Sequence, residues 1–363
     1  MPLRPAILLI FAALSLAASH AHDVDPKRLP LGDGKISKAP QVGWIWACRV
    51  DPGAGGAHRK GPWIRNDGTW DSTAKLTVGG AVKWPSRWTI DLQGDRRVFT
   101  SNGLPSHATG NFPITPTEPA YQYDRNPNRI AEQGMRIELP ANPKLAPQPT
   151  CAPGAVGILL TGVALFSALD APGRDAVAHE VQDRCQGHPQ ISGVYHYHNL
   201  TSCLEDKRAP DGHSALVGYA LDGFGIFGLH GEGGKRLSSQ DLDECHGHSH
   251  PILWDGKLVE MFHYHATPDF PYTVGCMRGT IRREDVRTIS GPPPGGMGGP
   301  RPAGGPPGAP PGRHPDLATA ANELQIPLER LRAALGPPPP DLAAAARRLG
   351  ISEQRLRQAL RAP

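Results

Sequence analysis

Two sets of histidines at alternating positions, each preceded by a Cys-x-Gly-His turn, are the residues of this chain best suited to chemistry. The first set runs from Cys185-Gln-Gly-His188 to Tyr195-His-Tyr-His198, and the second from Cys245-His-Gly-His248 to Phe262-His-Tyr-His265. Alternate residues of a strand face the same side, so the paired histidines of each set should be neighbours. Neutral imidazole binds zinc, copper, iron and nickel. Each set, with the histidine of its turn, therefore predicts a three-histidine metal site.

The predicted metal is copper or zinc, held in two centres or in one centre where the sets converge. The predicted ligands are His188, His196, His198, His248, His263 and His265. Further candidates on turns and loops nearby are His107, His246, His250 and Asp222. An open coordination position would permit catalysis, because a bound metal lowers the pKa of water or polarises a carbonyl group. The alternative is that the histidines form hydrogen bonds within a compact core and bind nothing.

Two aspartates near glycine turns, Asp170 and Asp222, are candidates for general-base work beside such a site, although aspartate at these positions is usually a turn former. Thiolate ligation by Cys185 and Cys245 is a further alternative. Six cysteines in an exported chain favour disulfides over thiolates. The same order of residues in the two sets suggests one pairing by symmetry: Cys185 with Cys203, Cys245 with Cys276, and Cys48 with Cys151.

The elements that must position these histidines also occur twice. Residues 157–166 align without gaps with residues 218–227, so residues 155–203 and 216–276 resemble two divergent copies of one unit. Each copy predicts a strand, a tight turn and a second strand, followed by the aromatic-histidine strand. An internal pseudo-twofold follows from this duplication.

The beginning of the chain predicts export. Arg4 is followed by an apolar run and by Ser19-His-Ala21, a small-x-small cleavage pattern, so residues 1–21 are interpreted as a signal peptide. The apolar run is short for a membrane span, which favours a cleaved signal. The alternative is an uncleaved membrane anchor. We therefore expect a secreted or periplasmic protein without a membrane span after signal removal. Cleavage would make His22 the first residue of a polar leader over residues 22–40, and a copper-binding brace at that terminus is a minor alternative.

Composition indicates a loop-rich, mainly β protein. The 363 residues include 43 glycines and 40 prolines, which suits turns better than long helices. The net charge of +4 comes with no concentrated basic face, so nucleic acid is not a predicted partner. Nucleotide-binding glycine loops and serine-hydrolase elbows are absent from the sequence. Candidate strands before the duplicated half are residues 42–46, 63–65, 75–78, 88–92 and 97–100.

The end of the chain changes character twice. Eighteen of the 23 residues from 291 to 313 are glycine or proline, so residues 291–315 are predicted to be a disordered linker. Residues 316–363 contain a repeat with a period of 25 residues, and each unit predicts two short helices. Pro327, Ser352 and Gly350 suit helix starts and a helix end. We interpret this module either as a small packing unit or as a unit that binds another protein.

Several motifs resemble the bacterial YHYH-domain protein family. Tyr195-His-Tyr-His198 after Cys-x-Gly-His matches the family's signature, and residues 101–110, 123–128 and 175–180 are similar to other segments of it. The second set departs from the signature by having Phe262 in place of the first tyrosine. The resemblance covers about residues 40–285 and implies an exported protein, but it supplies no activity, because the family has none established.

The sequence therefore predicts a mainly β, disulfide-stapled domain over residues 41–290, composed of a β part at 41–150 and the duplicated units, and then a small α-helical repeat module. Three functions follow from the histidines. The first is metal binding, the second is a metal-dependent hydrolase or oxidoreductase, and the third is a non-catalytic envelope or adhesion module with structural histidines.

Overall fold

The computed structural model describes residues 24–51, 55–282, 286–287, 317–335 and 342–360. The predicted signal peptide and the predicted linker lie outside these residues, as do His22 and its proposed copper brace. The chain divides into two compact units, residues 1–296 and 297–363. Among the described residues, the first unit contains the strands and the second contains four short helices, which confirms the predicted mainly β fold with small C-terminal helices.

The strands of the first unit are short. In chain order they are β1 (Leu29–Pro30), β2 (Thr69–Trp70), β3 (Trp88–Gln93), β4 (Arg96–Ser101), β5 (Met135–Pro140), β6 (Ala155–Leu159), β7 (Ala164–Phe166), β8 (Gly187–Pro189), β9 (Tyr195–Tyr197), β10 (Leu216–Ala220), β11 (Gly225–Phe227), β12 (Gly247–Trp254), β13 (Lys257–His265) and β14 (Val286–Arg287). The helix α1 (Ala176–His179) lies between β7 and β8.

Eight of these strands form one sheet in the order β12-β13-β11-β10-β6-β7-β9-β8. The central strands β6 and β10 pair antiparallel, and each pairs on its other side with the strand that follows it, β7 or β11. Further out, β9 runs parallel to β7 and β13 runs parallel to β11, while β8 and β12 are the antiparallel outer strands. The pairing pattern is thus the same on both sides of the sheet centre. Such a pattern is what the predicted duplication would produce, and the duplication itself stays a prediction.

Both central hairpins turn where the sequence places a glycine after Thr161 or Asp222. Gly162 has φ +83° and Gly223 has φ +94°, a conformation that residues with a side chain rarely adopt. In the β10–β11 turn, the Ala220 amide donates to the Phe224 carbonyl at 2.9 Å. The predicted tight turns therefore lie between the predicted strands.

A second sheet has the order β14-β5-β4-β3 and contains two of the predicted strands, those at residues 88–92 and 97–100. The predictions at residues 42–46, 63–65 and 75–78 are wrong as regular strands, because these segments form only isolated bridges through Ile45, Ile64 and Val78. Ile64 bridges Trp70 of the two-residue strand β2, whereas Ile45 and Val78 pair with loops; for example, the Val78 amide donates to the Gln182 carbonyl at 2.9 Å. A loop partner continues the hydrogen bonding for one residue and then turns away.

Three disulfides join the six cysteines with the predicted pairing, and no cysteine is free. They are Cys48–Cys151, Cys185–Cys203 and Cys245–Cys276. The alternative of thiolate ligation by Cys185 and Cys245 is therefore wrong, because a disulfide sulfur is not a thiolate. The two short-range disulfides close the segments that carry the histidine sets.

The second unit packs four amphipathic helices around leucine and alanine side chains. The helices are α2 (Leu317–Leu324), α3 (Leu328–Leu335), α4 (Leu342–Leu349) and α5 (Glu353–Leu360). Ser352 Oγ accepts the Arg355 amide at 3.2 Å, as expected of an N-cap, and Gly350 ends α4 with φ +72°. Over the described residues, every helix falls short of the length and apolar character that crossing a membrane requires.

The glycine of each Cys-x-Gly-His turn lies under an aromatic ring of the facing strand. A Cβ at Gly187 would come within 2.2 Å of Tyr195 Cζ. A Cβ at Gly247 would come within 2.4 Å of Phe262 Cζ and of the His263 carbonyl oxygen. The ring can approach the backbone of β8 or β12 only because a side chain is absent there, so the glycine of the motif has a packing role.

Gly247→Ala is expected to lower the free energy of unfolding by about 1–3 kcal/mol, because the added methyl group overpacks a closed contact that includes backbone. Urea unfolding measures the change. Gly154→Ala is the matched control, since a Cβ there meets nothing within 4 Å, and it should change stability by about 0.5 kcal/mol or less. An equal effect of the two substitutions would contradict the packing role of Gly247.

Candidate metal centres

The first centre consists of His188, His196 and His198. His188 on β8 is the register partner of His196 on β9, and His198 follows at the next position on the same face. His198 Nε2 lies 3.2 Å from His188 Nε2 and 3.1 Å from His196 Nε2. All three rings are buried. The strand pairing and the alternation of side chains thus bring three imidazole nitrogens to one point, as the spacing predicts.

Backbone carbonyls orient two rings of the first centre. His196 Nδ1 lies 3.1 Å from the Val194 carbonyl oxygen, and His198 Nδ1 lies 2.6 Å from the Ser167 carbonyl oxygen. A carbonyl oxygen only accepts, so each Nδ1 carries the hydrogen and donates it. In the neutral ring, Nε2 is then an acceptor with its lone pair directed into the centre. A hydrogen bond at the outer nitrogen is the usual way in which proteins orient metal-ligating histidines.

The third ring and a carboxylate complete the surroundings of the first centre. His188 Nδ1 lies 3.4 Å from Asn126 Nδ2, which also donates to the Pro189 carbonyl at 2.9 Å. Glu180 Oε2 lies 3.5 Å from His188 Nε2 and 3.4 Å from His198 Nε2. Sequence reasoning missed Glu180 as a site residue. It ends the segment 175–180 that resembles the YHYH-domain family, but no periodicity connects it to the histidine strands, and only the course of the chain brings it to the centre.

The second centre consists of four histidines, His213, His248, His263 and His265, whose ligand atoms all lie within 4.8 Å of one another. His263 Nε2 is 3.0 Å from His248 Nε2 and 3.1 Å from His213 Nε2. His265 Nε2 is 3.1 Å from His213 Nε2. The predicted ligands therefore come together in two groups, one for each set, and not in one shared centre among the described residues.

The second centre has the same orienting contacts as the first. His263 Nδ1 lies 3.0 Å from the Met261 carbonyl, two residues earlier, as His196 lies beside Val194. His265 Nδ1 lies 2.7 Å from the Gly228 carbonyl. Gly228 and Ser167 hold equivalent places, because each directly follows one of the two aligned segments. The two sets thus share the alternation of their strand histidines and the tautomer that their backbone imposes.

His213 was not predicted from the sequence. It precedes β10 in a turn, and its Nδ1 lies 2.7 Å from the carbonyl of Ser214, so its Nε2 also faces inward as an acceptor. A single histidine in a loop carries no periodicity, and the first copy has no histidine at the aligned position. In the sequence, the residue type of His213 was therefore the only indication that it could be a ligand.

Burial keeps four histidines of the two centres neutral. Loss of hydration, reinforced by the neighbouring imidazoles, holds the pKa of His188, His196 and His265 well below the usual range of histidine. The same two causes lower the pKa of His263 to about 2. These rings are therefore unprotonated at neutral pH, which is the state that a metal requires.

The remaining candidate histidines have other partners. His107 Nε2 is 2.5 Å from the Tyr197 hydroxyl, and the sulfur atoms beside this ring belong to the Cys185–Cys203 disulfide, so no thiolate is available there. His246 Nε2 lies 2.9 Å from Thr267 Oγ1. His250 stacks on His213 with ring centroids 5.2 Å apart, and its Nε2 lies 3.6 Å from Glu232 Oε1. Of these three, only His250 borders a centre.

The two candidate aspartates are held by neighbouring groups. The Tyr264 hydroxyl donates to Asp222 Oδ2 at 2.6 Å, and the Gly279 amide donates to the same atom at 2.9 Å. Burial raises the pKa of Asp222 above its usual range. Asp170 accepts Arg174 Nε at 2.8 Å. These contacts account for both carboxylates as parts of turns, and Asp222 anchors the aromatic strand of the second set.

Comparison with protein families gives one finding. A family model described as YHYH protein matches residues 136–236. The match includes all of the first centre, Glu180 and His213, and it confirms the resemblance to the YHYH-domain family over these residues. Comparison with curated proteins and with solved structures found no match.

Proposed function

We propose that this chain, with its YHYH domain, is an exported protein that binds two transition-metal ions, copper or zinc, one at each centre. The observation that carries the proposal is common to both centres. Imidazole Nε2 atoms converge to 3.0–3.2 Å while the Nδ1 atoms of most of these rings face backbone carbonyls. No hydrogen is then left between several of the facing nitrogens.

The donor set fits a metal ion in its chemistry and spacing. Zinc–nitrogen bonds of about 2.0–2.1 Å in a tetrahedral site place neighbouring nitrogens about 3.3 Å apart, close to the separations observed. Without a cation, lone pairs directed at one another in a buried site repel. Burial also opposes the protonation that would otherwise relieve this repulsion. An ion accepts these lone pairs and removes the conflict.

The three disulfides support export, since such bonds persist in oxidising compartments. The predicted signal peptide at residues 1–21 points the same way. In a secreted or periplasmic setting the chain would acquire its metal outside the cytoplasm. The matching contacts of the two sets also support the proposal that residues 155–203 and 216–276 arose by duplication, each copy keeping a metal centre.

A metal-dependent hydrolase or oxidoreductase is the second candidate. It is favoured by the three-histidine set of the first centre, because catalytic zinc sites commonly have three protein ligands and an open fourth position. When bound, a metal there would supply Lewis-acid chemistry, and His188, His196 and His198 would hold it. A non-catalytic module with structural histidines is the remaining reading, and it predicts that neither centre takes up metal.

Metal content measured by plasma mass spectrometry tests the proposal. The full chain is exported to a periplasm and purified without a histidine tag or chelator. We expect about two equivalents of metal in the wild type, one in His196→Ala or His263→Ala, and none in the double variant. His58→Ala, at an exposed histidine outside both centres, is the control and should keep both. Absence of metal from the wild type after reconstitution with zinc and with copper would overturn the proposal.

A further inference from the structure

We propose that Glu180 is the fourth ligand of the first centre, so that this centre holds its ion with three imidazoles and one carboxylate. The inference rests on the proposed function and deepens it. It assigns the two centres different donor sets, since the second has four imidazoles and the first has an anionic donor.

The position of Glu180 Oε2 fits a coordinating oxygen. It lies 3.4 Å from His198 Nε2 and 3.5 Å from His188 Nε2. Around a tetrahedral zinc ion with bonds of about 2.0–2.2 Å, nitrogen and oxygen ligands are about 3.4 Å apart. The carboxylate thus occupies, relative to two of the histidines, the place of a further ligand.

Glu180 Oε2 has no hydrogen-bond partner among the described residues. The Glu180 side chain is 12% exposed. Its Oε2 is buried and accepts no hydrogen bond from any described residue. A buried, unsatisfied carboxylate oxygen is costly, and native proteins rarely keep one without a compensating group. The nearby half-buried ammonium of Lys75 donates to the Val177 carbonyl at 2.5 Å and to the Gln182 side chain.

A direct ion pair with a protonated histidine accounts less well for Glu180. Charge-assisted N–H···O bonds are about 2.7–2.9 Å long, shorter than either separation here. His198 already donates from Nδ1 to Ser167, and His188 is buried among other imidazoles. An ion between the carboxylate and the rings satisfies the oxygen at the observed distances.

The second centre offers the comparison. There His213 Nε2 stands 3.1 Å from both His263 Nε2 and His265 Nε2, so the fourth donor is neutral. With a divalent ion, the first centre would carry one positive charge and the second would carry two. Burying charge is expensive unless it is compensated, so the carboxylate should strengthen retention of a divalent ion in the first centre. Four protein donors at each centre also leave less room for an open catalytic position.

Cobalt(II) titration of the full-length His263→Ala variant, which isolates the first centre, tests the role of Glu180. Adding Glu180→Gln replaces a charged donor by a neutral one of the same shape. We expect the cobalt dissociation constant to rise by about 10- to 100-fold. The visible cobalt spectrum should also change. Glu232→Gln in the same background is the matched control, since this carboxylate faces His250, and it should leave affinity and spectrum unchanged.

The outcomes separate the inference from the proposed function. Unchanged affinity and spectrum in Glu180→Gln would overturn the role of Glu180 while leaving the metal centre in place. Failure of the His263→Ala variant itself to bind cobalt would instead overturn metal binding at the first centre. Should Glu180→Gln fold poorly by near-ultraviolet circular dichroism, Glu180→Asp keeps a carboxylate and is expected to retain cobalt better than a folded Glu180→Ala variant. An equal loss in these two would also overturn the inference.

Discussion

Chelation of the bound metal is expected to lower the free energy of unfolding by about 4 kcal/mol for each centre, relative to protein held at a free metal concentration about 1,000 times the dissociation constant. The candidate ligands of a centre come from distant segments; His213 and His263, for example, are 50 residues apart. The unfolded chain does not hold them together, so metal stabilises only the folded state. Urea unfolding followed by tryptophan fluorescence, with and without chelator, measures the difference.

The His196→Ala/His263→Ala double variant is the control for this linkage. Its unfolding midpoint should be the same with and without chelator, because neither centre remains complete. Each single variant should show about half of the wild-type response, since the two centres use separate ligands. A wild type that contains metal and yet unfolds at the same urea concentration after chelation would show that the centres do not support the fold.

Loss of the Cys48–Cys151 disulfide is expected to cost about 4–5 kcal/mol of unfolding free energy. The bond spans 103 residues, and constraint of the unfolded chain grows with the length of the closed loop. In the folded state it joins the N-terminal segment to the entry of β6, where the Cys48 amide donates to the Ala152 carbonyl at 2.9 Å. Urea unfolding of the oxidised Cys48→Ser/Cys151→Ser variant measures the loss.

The Cys185→Ser/Cys203→Ser variant is the matched comparison, because that bond spans only 18 residues. Its loss should cost less, about 3 kcal/mol by the same loop-length relation. Both variants are compared in chelator, since Cys185 lies close to His188 and metal would otherwise add its own contribution. A larger cost for the short-range bond would contradict the loop-entropy explanation.

Local patterns in the sequence determined most of the histidine geometry. Alternation along β9 and β13 places His196 beside His198 and His263 beside His265, because successive side chains of a strand point to opposite faces. The equal order of cysteine and histidine in the two sets determined the disulfide pairing. The C-terminal helices could be predicted for the same reason, since leucine spacing, caps and a terminal glycine all lie within a few residues of one another.

Tertiary structure alone decided which further donors reach the centres. Glu180 and His213 come from a helix end and a turn, where no periodicity connects them to the histidine strands. Their approach depends on how the chain returns to the sheet. The segments around Ile45 and Val78 show the same limit, because their β-rich sequences pair with loops and not with strands. Residue type and spacing predict contacts between residues that are close in the sequence. A fourth donor or a strand partner comes from a distant segment, and only the folded chain brings such segments together.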